Sequence, residues 1–210
     1  ESQPKQIKTS SNTRAFVVHA WSKLNDRIVI ELVFITGGFI FIGFGAFITY
    51  LPLFLRDTFN SPTLMIGIII GSRAIMGTLM ASQLTHLSSY LSHRTLIFLS
   101  FLALTLALVI IPYVQNQWML MISATFYGIS FGILRPLTQY LIVDYAPEDL
   151  RSTFASALNF GLRVSQTISP VFAGLLLVFS SYKELYLTAA GLAFLIACYA
   201  LTTVSLRKND

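Results

Sequence analysis

Six apolar runs, each close to the length that crosses a bilayer, dominate this chain and leave few folds open to it. They lie at 29–55, 62–84, 95–114, 118–143, 153–179 and 185–206, and about 20 helical residues span the ~30 Å of hydrocarbon in a membrane. Inside lipid every backbone N–H and C=O must be satisfied within the protein, which favours helices over open strands. The composition agrees, since 55% of the 210 residues are hydrophobic and only 11% are charged, where a soluble domain carries about a quarter charged residues. The expected fold is therefore an all-α membrane protein with six transmembrane helices. The predicted connections 56–61, 85–94, 115–117, 144–152 and 180–184 are short, so consecutive spans should run antiparallel. The expected organisation is a cytoplasmic linker over 1–28, a six-helix transmembrane domain over 29–206 and a cytoplasmic tail over 207–210. Ser61-Pro62 reads as an N-cap followed by proline at the first helical position, which would start the second span there.

The net charge of +5 does not point to nucleic acid, because the basic residues flank the apolar runs. With the N-terminal segment placed inside, Lys5, Lys8, Arg14, Lys23, Arg27, Arg94, Arg151, Arg207 and Lys208 fall on the cytoplasmic side, against Arg56 and Lys183 outside. Basic residues concentrate in cytoplasmic loops, which predicts that both termini are cytoplasmic. Ahead of the first span, Phe16, Val17, Ala20, Trp21 and Leu24 share one helical face, the pattern of a short interfacial helix. The first 12 residues are polar, without the apolar stretch of a signal peptide.

Three arginines interrupt the apolar runs: Arg73, Arg135 and Arg163. Each would cost roughly 2.5–3.5 kcal/mol facing lipid, so each should face the bundle interior or a wet cavity. Arg163 continues a polar stripe of Ser152, Ser156, Asn159, Gln166 and Ser169, and Gln139 lies one turn from Arg135. These faces are expected to line an aqueous path. Glu31 is the one acid well within the apolar stretches, so the embedded charge is net positive and would complement an anionic group on a small-molecule substrate. The alternative is that the arginines pair with acids outside this chain or with helix C-terminal carbonyls.

Small residues at Gly67, Gly71, Ala74, Thr78, Ala81 and Thr85 form a predicted packing seam on the second span. Gly128 and Gly132 make a G-x-x-x-G on the fourth, with Pro136 one turn on. Gly128-Ile129-Ser130-Phe131-Gly132 also satisfies G-x-S-x-G, which in hydrolases presents a nucleophilic serine on a strand-to-helix turn. Here it sits in a continuous apolar helix, and His19, His86 and His93 lie at the wrong depth to activate it. No enzyme chemistry is expected. The scattered histidines, the lone Cys198 and the lack of a phosphate-binding glycine loop leave no metal or other cofactor implied.

The stretch FYGISFGILRPL at 126–137, the loop APEDLRS at 146–152 and the run SPVFAG at 169–174 together resemble the tenth and eleventh spans of major facilitator efflux proteins. That family has a glycine-rich helix, an acidic-Pro-acidic-Arg cytoplasmic loop and a helix with proline and glycine near its outer half. Loop 85–94 takes the place of the family's G-x-L-x-D-R-x-G-R-R. It departs from it, with Ser89 where aspartate is usual and Ser92 where the second glycine is, while Arg94 keeps the basic end. A charge-based latch at this loop would lack its acid.

The resemblance implies one half, the C-terminal six helices, of a twelve-span transporter whose halves rock about a central cavity. It places Arg135 and Arg163, then Arg73, with Gln139, Asn159 and Gln166, as cavity-lining candidates. Arg151 would tether the cytoplasmic loop through Asp144, Glu148 or Asp149. Gly128, Gly132, Pro136, Pro170 and Gly174 would serve packing. It implies as partners the N-terminal six-helix half, the lipid bilayer and a small organic substrate, with export the expected direction and a bacterial inner membrane the expected location. Segment 1–27 is similar to the connector that joins the halves, and any proton-coupling acid is expected in the other half. A non-transporting membrane scaffold or assembly factor with the same helix bundle is the competing expectation, since function resides in the site rather than the fold.

Overall fold

The computed structural model describes residues 24–203. The interfacial helix and connector expected ahead of Leu24 lie outside the described residues. Within them the chain is helical almost throughout, in six candidate membrane spans. The first span is α1 (Arg27–Ile42), a π-helical segment (Gly43–Thr49) and α2 (Tyr50–Phe59). The others are α3 (Thr63–Tyr90), α4 (His93–Ile110), α5 (Leu120–Tyr145), α6 (Arg151–Phe179) and α7 (Tyr182–Thr203).

The connections are tighter than expected. Residues 85–90 continue α3, and the turn shrinks to Leu91 and Ser92. No glycine or proline interrupts 85–90, so nothing stops the helix until the Ser92 side chain accepts from the Thr95 N–H and caps α4. Ser61 is not the cap of α3 either; Pro62 takes that position. The Ser61 hydroxyl instead donates to Gln117 Oε1 at 2.5 Å, tying the second span to the connection before the fourth. Asn60 ends α2 in the left-handed conformation, φ 52°, its N–H on the Arg56 and Leu55 carbonyls.

The π-helical segment has a local cause. Pro52 has no N–H for the Ile48 carbonyl, and just upstream the ladder widens to a π register, in which the Thr49 hydroxyl returns to the Phe44 carbonyl at 3.0 Å. The widened turn sets Tyr50 facing α6, where its hydroxyl donates to the Pro170 carbonyl at 3.1 Å. Gly174 makes room for that contact, since a Cβ there would strike the Tyr50 hydroxyl.

Two parallel helix pairs form the frame. A Cβ on Gly128 would meet the Arg73 carbonyl and one on Gly132 the Gly77 carbonyl, so α3 and α5 run in the same direction, backbone against backbone. The first span and α6 pair in the same sense: Gly161 meets Val33, Gly37 meets Ser165, and Gly45 meets Ser169. Helices α4 and α7 pack on each other, and α4 also packs on α5. The predicted seam of α3 takes no part in this packing. Gly67, Gly71, Ala74, Thr78, Ala81 and Thr85 are all exposed, and nothing among the described residues lies within 4 Å of a Cβ built on Gly67 or Gly71. Gly77, off that stripe, makes the close contact.

Candidate functional site

Tyr127, Phe131, Arg135 and Gln139 recur every fourth residue along one face of α5, a spacing that stacks side chains on a helix. Opposite them, α3 presents Arg73, Ala74, Gly77 and Thr78. Because the two backbones meet at Gly128 and Gly132, the helices then leave a cleft of about 540 Å³ lined by Arg73, Ala74, Thr78, Arg135 and Gln139 among others. Two of the three predicted arginines thus share one cavity.

Arg73 is held by aromatic faces. Its guanidinium carbon lies 5.5 Å from the centroid of Tyr127 and 5.6 Å from that of Phe131. Tyr127 is in turn stacked on Phe47 at 4.2 Å with 6° between planes. A desolvated cation over an aromatic ring gains about 2 kcal/mol, which offsets much of the cost of placing the charge at depth. Arg73 Nε is nonetheless buried without a hydrogen-bond partner among the described residues.

Arg135 is held at one arm only. Its Nη2 donates to Asn159 Oδ1 at 3.2 Å, and the Asn159 amide donates to the Ala155 carbonyl at 2.9 Å. That second bond fixes which way the amide points and turns its oxygen to the guanidinium. Arg135 Nη1 is buried and has no partner among the described residues.

Arg163 stands apart from this cleft. It is exposed on α6 and donates to Gln166 Oε1 at 3.1 Å. Ser152, Ser156 and Arg163 lie on the same open side of α6, with Asn159 and Gln166 half-buried beside them. Ser169 departs from the predicted stripe: it is buried against Gly45, with its hydroxyl unpartnered among the described residues. Spacing misplaces it because 166 to 169 steps round toward the buried side of the helix. None of Arg73, Arg135 or Arg163 forms an ion pair among the described residues. Glu31 lies elsewhere, buried and paired with Arg27 at 2.7 Å beside Leu192, Ile196 and Tyr199.

At the predicted loop, Arg151 reaches Glu148 at 4.0 Å with both side chains well exposed, a pair that contributes little in water. Arg94 and Asp144 are in no ion pair among the described residues. Two tyrosine–carboxylate bonds tie the helix ends across the chain. Tyr145, at the end of α5, donates to Asp26 at 2.5 Å beside the start of α1, and Tyr182, at the start of α7, donates to Asp57 in α2 at 2.6 Å. Both cross more than a hundred residues, so no local spacing signals them. No cluster of metal-ligating side chains occurs among the described residues.

A family model described as Major Facilitator Superfamily matches residues 33–210. The chain is also 23% identical over 195 residues to the protein named Multidrug resistance protein MdtG of Proteus mirabilis (strain HI4320), covering 91% of this chain and 46% of that protein. The chain therefore spans about half the length of the curated relative it matches.

Proposed function

This chain belongs to the Major Facilitator Superfamily, and from that premise we propose that it forms the C-terminal six-helix half of a secondary transporter that exports a small organic compound by alternating access. In this reading both ends of the chain are cytoplasmic, a second six-helix half packs opposite the cleft, and the assembly sits in a bacterial inner membrane without catalytic chemistry of its own. The relative's printed name, a multidrug resistance protein, supports export of a foreign organic compound.

One observation carries the reading: the two least covered helices divide their open surfaces in two. Only 17% of the apolar stretch of α3 and of α6 is buried, against 61% for the first span and 56% for the fourth. On α3 the open residues Leu64, Ile68, Ile75 and Leu79 suit hydrocarbon, while Gly67, Gly71, Ala74 and Thr78 form a separate open strip. On α6 the split is Phe160, Val164, Ile168 and Val171 against Ser152, Ser156 and Arg163. A charged and hydroxyl-bearing strip is costly toward lipid, whereas it suits water or another helix bundle. The Arg135–Asn159 bond puts the polar strip of α6 on the same side as the cleft.

Flux tests the proposal. The full-length protein containing this chain, reconstituted in proteoliposomes, is expected to move organic compounds from a drug panel against a gradient when a proton-motive force is imposed. Folded protein that moves nothing across the panel would support the scaffold reading instead.

A further inference from the structure

The cleft holds two positive groups, each with a buried N–H that has no acceptor among the described residues: Arg73 Nε and Arg135 Nη1. A buried donor left unpaired is costly, and more so on a charged group. From their arrangement, and resting on the transport reading above, we infer that the cleft between α3 and α5 binds a small amphipathic organic anion, with Arg135 as its anion ligand and Asn159 as the residue that positions Arg135.

The two arginines are not equivalent. The guanidinium of Arg73 lies against two aromatic faces, which spreads its charge over an apolar wall. Arg135 is built differently: Asn159, fixed by the Ala155 carbonyl, holds the guanidinium by Nη2 alone, Nη1 has no acceptor among the described residues, and the side chain lines the cleft. The Gly128–Arg73 and Gly132–Gly77 contacts set the register of the parallel pair. Arg135 then lies seven residues beyond the level of Arg73, about 10 Å at ~1.5 Å per residue. An anionic head at Arg135 would leave its body running along Phe131 toward Arg73, through a cleft walled mainly by Ala74, Gly77, Phe131 and Pro136. The polar groups beside Arg135 are the amides of Asn159 and Gln139, and no carboxylate lines the cleft or pairs with it among the described residues. A cationic drug would meet two like charges, and like-charge juxtaposition is a strong means of exclusion.

Binding of 2-naphthalenesulfonate and of its trimethylammonium counterpart to the full-length protein in lipid nanodiscs tests this. The sulfonate is expected to bind in preference to the ammonium. Arg135→Ala is expected to weaken it by about tenfold or more, the worth of a hydrogen bond to a charged group, and Arg135→Lys to recover part of the loss. Asn159→Asp places a carboxylate against the guanidinium, so it should weaken sulfonate binding as much as Arg135→Ala and lessen the bias against the ammonium. Asn159→Ala, which only frees the arginine, should cost less. Unchanged thermal unfolding of the variants shows that they fold. Preference for the ammonium, absence of sulfonate binding, or indifference to Arg135→Ala and Asn159→Asp would overturn the inference. If flux of other compounds persists in that event, the transporter reading stands and only the substrate class falls.

Discussion

Replacing Gly132 with leucine is expected to prevent the bundle from assembling, while the same replacement at Gly71 is expected to leave stability nearly unchanged. At Gly132 even a Cβ would strike the Gly77 carbonyl, a backbone atom that no rotamer change can move, and Gly128 is pressed in the same way on Arg73. Helices α3 and α5 would have to separate along their length. In lipid no hydrophobic force draws helices together, so close packing is what holds this pair, and overfilling a packed interface costs roughly 1–3 kcal/mol even where side chains can shift. Here the cost should reach or exceed the top of that range. Around Gly71 nothing among the described residues lies within 4 Å of the added carbon. Equilibrium unfolding by sodium dodecyl sulfate in bicelles, read by circular dichroism, compares the two; equal stability of the two variants would show that α3 and α5 do not meet as described.

The second large effect is expected at Tyr127. Its ring is buried and stacked between Phe47 and the Arg73 guanidinium. Truncation to alanine empties roughly 100 Å³, which at ~24 cal/mol per Å³ costs about 2–3 kcal/mol. It also removes one of the two faces that hold Arg73, a further loss of about 1–2 kcal/mol. Tyr127→Phe keeps both contacts and should stay within about 1 kcal/mol of wild type, as a near volume-conserving change does. Unfolding in the same bicelle system checks both variants. If Tyr127→Ala and Tyr127→Phe unfold alike, the ring does not carry Arg73.

These cases also mark how much of the molecule could be read before its structure. The six spans were legible because bilayer thickness imposes a length and a polarity that no side-chain detail can hide. Helix ends were less legible. The run 85–94 looks like a loop by polarity, yet polar residues without glycine or proline continue a helix once it emerges from lipid, as 85–90 do. The π-helical segment gave no periodic signal, since a widened turn leaves the apolar run unbroken. Small residues announce that a face tolerates close approach but not what approaches it. The G-x-x-x-G of α5 found α3, while on the longer stripe of α3 Gly67 and Gly71 meet nothing among the described residues. The arginines were legible one by one, because each is costly in lipid. That Arg73 and Arg135 share a cleft while Arg163 lies outside it depends on the register between helices, which is set by Gly77, Gly128 and Gly132 meeting carbonyls far away in sequence.

The central claim is that the cleft beside Arg73 and Arg135 opens to water within an assembled transporter, and thiol accessibility addresses it most directly. Cys198 is exposed on α7, so Cys198→Ser, together with serine at any cysteine of the full-length protein outside this chain, supplies the background, into which Thr78→Cys and Gln139→Cys place single thiols on the cleft. Leu106→Cys and Val171→Cys place them on open apolar surface. In membranes holding the full-length protein, a charged methanethiosulfonate reagent is expected to modify positions 78 and 139 quickly and positions 106 and 171 hardly at all. If positions 78 and 139 react as slowly as the lipid-facing pair, the cleft is dry and packed, and a scaffold with buried arginines replaces the transporter.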